Sequence, residues 1–485
     1  MKRETSEKAL EQISDKHIAE AAQPAKRRNH WIGPIAAVLA LVILAGAVFH
    51  PPMRASIGGA IAPESNGLAP LPYAHLLVAE PVYPEMVAYP DIEEDFATFD
   101  DWYRCQQAQY NQPEGYADSA EAFLTQITEK LLSEDPEKNI ACSPVNVYMA
   151  LAMLAEVTEG ETRQEILRAL GVSSLEDLRT QAGHIWNAHY CADNATTLTL
   201  ANSLWLDTRL SYRNHTAQTL ADRYYASVLQ GQLGSREANE ALRAWINQQT
   251  GGLLEQQAAG IELPPQTLFA LASTIYYRCR WDAGYQFSEK ANTTDTFHGP
   301  VQEKTVTFMH KSFENDRYYY GDTYAAFPLR LADDSRMWLI LPDEGSSPQA
   351  FLESGGLESI LKGQAKSMEI KVNLSLPKFD ISANLQLEDS MKALGIRRVF
   401  GSDADFSGIL QEDLTDDRLG CASHATRVTI DEEGIEAAAY TILADAGAAP
   451  PRDTAEINLV LDRPFLFVIE SRDGLPLFAG IVNDP

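Results

Sequence analysis

Apolar positions fall into three regimes along the chain. Trp31 to Phe49 (WIGPIAAVLALVILAGAVF) is an unbroken run without charge. Residues 50–115 break any longer pattern with prolines at 51, 52, 63, 70, 72, 81, 84 and 90. From about residue 116 the spacing becomes that of a packed domain. Ala120 to Leu132 and Val145 to Val157 repeat apolar residues at helical intervals. Ser143-Pro144 ahead of the second run is a helix start, with Pro in the first turn where its missing N–H does no harm. Thr197 to Leu206, Phe269 to Tyr277 and Met337 to Leu341 read as strands, two of them nearly continuous in apolar residues and therefore buried on both faces. Helices early and strands later predict an α+β fold rather than a doubly wound sheet. No internal repeat is apparent.

Composition narrows the class. At 485 residues, 45% hydrophobic and 22% charged, the chain is globular in character. Its formal charge of −29 argues against nucleic acid as a partner, since that needs a basic face to displace phosphate counterions. The five cysteines, Cys105, Cys142, Cys191, Cys279 and Cys421, are scattered and form no Cys-x-x-Cys pair, so no zinc or redox motif is present. Cys142 and Cys279 lie in apolar contexts and read as small buried hydrophobes. No metal or cofactor is implied. Neither a Gly-x-Ser-x-Gly elbow nor a His-Glu-x-x-His helix occurs, and Ser423-His424 are sequence neighbours poorly placed to act on each other. The expectation is that the chain is not an enzyme.

The first regime reads as a membrane segment. A bilayer core of about 30 Å needs about 20 apolar residues in a helix, and 31–49 meets that length behind the basic flank Lys26-Arg27-Arg28. Basic flanks stay inside, so the expectation is a 1–30 cytoplasmic segment, a 31–49 signal anchor, and an exported body. Ala45-Gly-Ala47 leaves open cleavage as a signal peptide, and hence secretion. Residues 50–115 then read as an extended linker holding domain 116–485 off the membrane. The acidic, aromatic piece Asp91 to Tyr103 is a candidate to pack on that domain.

The most telling pattern lies near the end, at Thr429-Ile-Asp-Glu-Glu-Gly-Ile-Glu-Ala-Ala-Ala-Tyr440. An acidic step passes through one glycine into small residues that can enter a sheet between existing strands. Gly434 supplies a pivot, because glycine turns through both halves of φ space at little cost. A polar, Pro-bearing stretch follows before Leu461-Asp-Arg-Pro-Phe-Leu-Phe467. This resembles the reactive-loop hinge and signature segment of the serpin family. Asn139 to Asn146, Gly160-Glu-Thr162, Ala201 to Leu206, Ser273 to Trp281, Val372 to Phe379, Leu394-Gly395, Phe400 to Ile409, His424 and Leu477 to Val482 extend the likeness in the family's order. The chain is thus similar to bacterial-type serpins across 116–485, with a membrane segment added.

The resemblance implies a serpin fold, α+β, with three β-sheets, about eight to nine helices and an exposed reactive loop. It implies a hinge over Glu432, Glu433, Gly434, Ile435, Glu436, Ala437, Ala438 and Ala439. Ser143, Asn146 and His424 fall at the shutter beneath the central sheet, and Trp281 at the breach where the loop first enters. Two residues depart from the family: Ser273 stands where Asn is usual, and Cys279 where Gly is usual.

The implied function is suicide inhibition. A serine protease attacks the loop, forms a covalent acyl-enzyme, and is dragged across the molecule as the cut loop inserts into the sheet. On insertion Ile435, Ala437, Ala439, Thr441, Leu443 and Asp445 would share one face, all but Asp445 suited to burial. Counting from Glu432 to about the 17th residue, at about 3.3 Å per residue, puts the reactive bond at Ala448–Ala449. A small residue there implies an elastase-like or subtilisin-like target, because a shallow pocket admits Ala. The rival bond Arg452–Asp453 would invite a trypsin-like protease. The alternative function is that of a non-inhibitory serpin, a substrate or binding module, toward which bulky Ile435 leans. The partners expected are a target protease and, through 31–49, a membrane; the chain is expected to be a monomer.

Overall fold

The computed structural model describes residues 38–48, 71–90, 96–411, 418–434 and 456–485. Hinge residues 435–439, the Ala448–Ala449 and Arg452–Asp453 bonds, and the 1–30 segment lie outside them. The architecture below belongs to the compact unit Ala36–Pro485.

Eight strands form the central sheet, in the order β13 (Phe379–Gln386), β14 (Arg418–Ile430), β1 (Val38–Val48), β7 (Thr267–Arg278), β5 (Thr197–Asp207), β6 (Ala226–Gly231) and β2 (Leu77–Ala79), with β4 (Cys191–Ala192) on β5. The other nine strands are continuous in hydrogen bonding but divide naturally in two. One group holds β8 (Thr293–His298), β9 (Glu303–Tyr320), β12 (Lys366–Pro377) and β15 (Glu456–Val460). The other holds β3 (Ile140–Cys142), β10 (Tyr324–Arg330), β11 (Arg336–Pro342), β16 (Phe465–Glu470) and β17 (Pro476–Val482). Only Tyr319 and Tyr320 at the end of β9 pair across to Ala326 and Ala325, which makes three sheets in all.

The described residues hold eleven α-helices, more than the eight or nine implied. They are α1 (Phe96–Tyr110), α2 (Asp118–Leu132), α3 (Pro144–Val157), α4 (Gly160–Ala169), α5 (Leu175–His189), α6 (Asn214–Tyr224), α7 (Arg236–Gln249), α8 (Glu255–Ala259), α9 (Pro348–Glu353), α10 (Gly356–Leu361) and α11 (Glu388–Ala393). The surplus comes from α1, outside the expected domain, and from one- to two-turn pieces such as α9 and α10. Helix α3 is buried along its whole length, as a helix apolar on every side must be. Ser143 caps it: its Oγ accepts from the Asn146 N–H at 3.3 Å, with Pro144 in the first turn. This helix lies against β7 and β17 and fixes the floor of the central sheet.

Two sequence expectations are corrected. Residues 38–48 do not form a helix; they are a strand within the central sheet, parallel to β14 on one side and β7 on the other. No helix among the described residues is long and apolar enough to cross a membrane. An uncharged run rich in Val, Ile and Leu suits a doubly buried strand as well as a lipid-exposed helix, because both remove side chains from water and pair every backbone group.

The second correction concerns the linker. Residues 71–90 and 96–110 are a strap along the body rather than a stalk. Antiparallel β2 extends the central sheet beyond β6. Tyr83 stacks on Trp186, Tyr190 and Tyr225 with ring centroids 5.5, 5.6 and 6.2 Å away. From α1, Trp102 Nε1–H and Gln106 Nε2–H donate to Asp193 Oδ2 at 2.9 and 3.0 Å, while the Tyr89 N–H donates to the Asp193 carbonyl at 2.7 Å. Prolines forbid long helices over 71–90 but not docking, and the acidic, aromatic piece contributes its Phe96–Tyr103 part to α1.

Candidate functional site

Strand β14 delivers the hinge. It ends at Ile430, and the next four residues turn against Trp281 at the end of the slot between β7 and β14. Trp281 is buried. Its Nε1–H donates to the Asp431 carbonyl at 2.9 Å, its backbone N–H donates to the Glu433 carbonyl at 3.4 Å, and the Phe287 N–H donates to the Glu432 carbonyl at 3.1 Å. Asp431 folds back so that Oδ1 accepts from the Glu433 N–H at 3.0 Å. Gly434 then takes φ +68°, and a Cβ there would sit 2.2 Å from the Trp281 nitrogen. Both the left-handed turn and the closeness of the two backbones therefore require glycine.

Glu432 is buried, with its carboxylate 2.6 Å from Lys378 Nζ and hydrogen-bonded by the Asn292 amide. Burial pushes its carboxyl up, but the Lys378 and Asn292 hydrogen bonds and its own backbone N–H outweigh that and hold it below the ordinary value. The first hinge glutamate is thus an anchored anion rather than a solvated one.

Beneath the middle of the slot, the polar groups sit in two sets. On the β14 side, the Ser143 N–H donates to His424 Nε2 at 2.8 Å, and Thr426 Oγ1 lies 2.9 Å from the same nitrogen. A backbone amide can only donate, so Nε2 carries no proton and His424 is neutral with its proton on Nδ1. On the β7 side, Ser273 Oγ is 2.6 Å from Asn146 Oδ1 and 2.8 Å from Asn202 Oδ1. Its single proton serves one of these acceptors at a time. The N-terminal turn of α3 carries both Ser143 and Asn146, and so joins the two sets from below. Strand β1 passes between them, with Ile43 in register with His424 on one side and Ser273 on the other.

Cys279 is buried, with Sγ 3.7 Å from Thr196 Oγ1, and burial pushes its thiol well above the ordinary value. It fills space as a small hydrophobe. Cys142 is buried in the same manner, and Cys105, Cys142, Cys191 and Cys279 are free thiols.

The structure therefore brings together Ser143, Asn146, Ser273 and His424, and separately Trp281 with Glu432, Glu433 and Gly434. Sequence reading passed over Lys378, Asn292, Asp431, Asn202 and Thr426. Lys378 lies within the quoted Val372 to Phe379 segment, and Asn292 lies in none of the quoted segments. Nothing local marks either as a partner of a glutamate more than fifty residues away. Among the described residues no group of His, Cys, Asp and Glu side chains is arranged to hold a metal ion.

The structure thus shows a large mixed sheet with buried polar groups beneath its middle and a tight glycine turn docked on Trp281 at the end of β14. Residues 118–485 match the family model described as "Serpin (serine protease inhibitor)". Alpha-1-antiproteinase 2 of Equus caballus is 31% identical over 361 residues, covering 72% of this chain and 82% of that protein. Alpha-1-antiproteinase S of Cavia porcellus is 28% identical over 371 residues, covering 75% of this chain and 89% of that protein. In three dimensions the chain is similar to the thermophilic serpin tengpin in its native state (TM-score 0.68, 24% identity, 77% of this chain and 95% of that one). It is likewise similar to human thyroxine-binding globulin (TM-score 0.65, 22% identity, 78% and 99%). The chain belongs to the serpin family, and its fold is the α+β serpin fold.

Proposed function

We propose that this serpin inhibits serine proteases by loop cleavage and insertion. The observation that carries this is the hinge: Asp431 to Gly434, clamped by Trp281 at the mouth of the β7–β14 slot, lead through Ile435-Glu436 into the small residues Ala437-Ala438-Ala439. In the proposed reaction the protease serine Oγ attacks the Ala448 carbonyl carbon. The Ala448–Ala449 C–N bond breaks, the new amine takes a proton from the protease histidine, and Ala448 remains as an ester on the serine. The freed segment then turns at Gly434 and enters the slot antiparallel to β14. Added backbone pairing and burial drive that step. Ala448 at the cut favours an elastase-like or subtilisin-like target, and Arg452–Asp453 is the competing bond for a trypsin-like one. The protein is on this proposal exported.

One observation favours a second function, that of a substrate or binding module without inhibition: β1 fills the slot into which a cut loop would go. Incubating the full chain with pancreatic elastase and subtilisin separates the two. An SDS-stable complex with the cut mapped to Ala448–Ala449 supports inhibition. Clean cleavage with no complex, under buffer and vesicle conditions alike, rejects it.

A further inference from the structure

Strand β1 pairs with both neighbours from Val38 to Val48, with a register irregularity between Leu39 and Ala40 on the β14 side and between Val38 and Leu39 on the β7 side. Val38 stands opposite Arg418 and Thr267, and Val48 opposite Thr429 and Arg278, so the strand covers the slot from end to end. Adjacent strands lie about 4.8 Å apart, and the gap holds a single strand. A loop that leaves β14 and turns back at Gly434 must run antiparallel to β14. Strand β1 runs parallel to it. It is therefore no surrogate for the inserted loop but a different occupant, and the two exclude each other.

The same eleven residues, Val-Leu-Ala-Leu-Val-Ile-Leu-Ala-Gly-Ala-Val, belong to the uncharged 31–49 run behind Lys26-Arg27-Arg28. That run has the length to cross a bilayer as a helix. Both settings satisfy every backbone group, one by pairing with two strands and the other within the helix. A segment in one setting is absent from the other.

We propose that Val38–Val48 is a removable plug. Seated between β7 and β14 it closes the sheet to the reactive loop, and withdrawn into a lipid bilayer it opens the slot and arms the inhibitor. The arming half of this rests on the inhibitory function proposed above; the plug itself does not.

Register supplies the test. Ala40 stands opposite the natural Cys421 of β14, so a single Ala40→Cys exchange places a second cysteine at the registered position of the neighbouring strand when the plug is seated. In the full chain, mild oxidation in buffer should join residues 40 and 421, as read by peptide mapping on non-reduced samples. Vesicles of phosphatidylcholine and phosphatidylglycerol should slow that cross-link about tenfold or more. The oxidised variant should yield cut loop but no SDS-stable protease complex, and the reduced variant on vesicles should form the complex. Failure of the link to form, a link rate indifferent to vesicles, or protease trapping that occurs and is equal for oxidised and reduced protein would each overturn the plug. If the link forms and vesicles slow it, yet no condition traps a protease, the plug stands and the inhibitory function falls.

Discussion

At the scale of single residues, the hinge rests on one missing Cβ and one buried carboxylate. Gly434→Ala must leave φ +68° or push Trp281 away, since its Cβ would come 2.2 Å from that backbone nitrogen. The left-handed turn alone costs a residue with a Cβ about 1 kcal/mol. The expected outcome is faster amide exchange over Asp431–Gly434 and fewer protease molecules trapped per loop cut. Glu432→Gln removes the charge that faces Lys378 and should lower stability by about 2 kcal/mol at neutral pH. The sign with pH follows from a folded-state carboxyl held below its ordinary 4.5. Its contribution is complete above that value and is lost as pH falls through the lower, folded one. Thermal melts of the two proteins should differ at pH 7 and converge in acid. Under the sheet, Ser273→Ala takes a hydroxyl from two buried amide oxygens at 2.6 and 2.8 Å. Urea unfolding should show a loss of about 1–3 kcal/mol.

At the scale of elements, the strap and α3 show how side chains far apart in sequence become one support. Tyr83 bridges α5, the residues after it, and Tyr225 at the end of α6, where Tyr225 itself adopts φ +50°. Stacked aromatic pairs contribute about 0.5–1.5 kcal/mol each beyond their burial. Tyr83→Ala should therefore lower stability by about 2 kcal/mol in calorimetry, while Val82→Ala beside it, at a position 87% exposed, should change nothing measurable. Strand β2 has a second role, in covering the outer edge of β6. An uncovered strand edge is a template for pairing with another chain. A chain lacking only residues 71–80, which keeps β1, should self-associate in sedimentation experiments where the full chain does not.

At the scale of the whole molecule, the question is what the central sheet can still accept. With β1 seated, β7 and β14 have no free edges toward each other, and cutting the loop should leave the melting temperature of the full chain nearly unchanged in buffer. Once β1 is withdrawn, the same cut should raise it sharply, because the loop then adds a paired strand. Scanning calorimetry of cut and uncut protein, with and without vesicles, reads this directly.

Much of this was legible along the chain. The helical spacing before residue 157 and the strand patterns at 197–206, 269–277 and 337–341 map onto α2, α3, β5, β7 and β11, because burial on one or both faces leaves a periodic trace. Gly434, Trp281, His424, Ser143 and Asn146 could be named in advance because a family's order of short segments survives where overall identity is low. The partners of Glu432 could not: Lys378 and Asn292 meet it only once three separate strands converge. Of the strap, only the Asp91 to Tyr103 piece offered a docking candidate in sequence, because prolines announce extended chain without saying what the chain lies against. The run 38–48 is the sharpest division between the two levels. Its sequence determined that it must leave water and pair its whole backbone. Whether lipid or the β7–β14 slot receives it was decided by tertiary structure, since only the assembled sheet supplies two open edges of matching length.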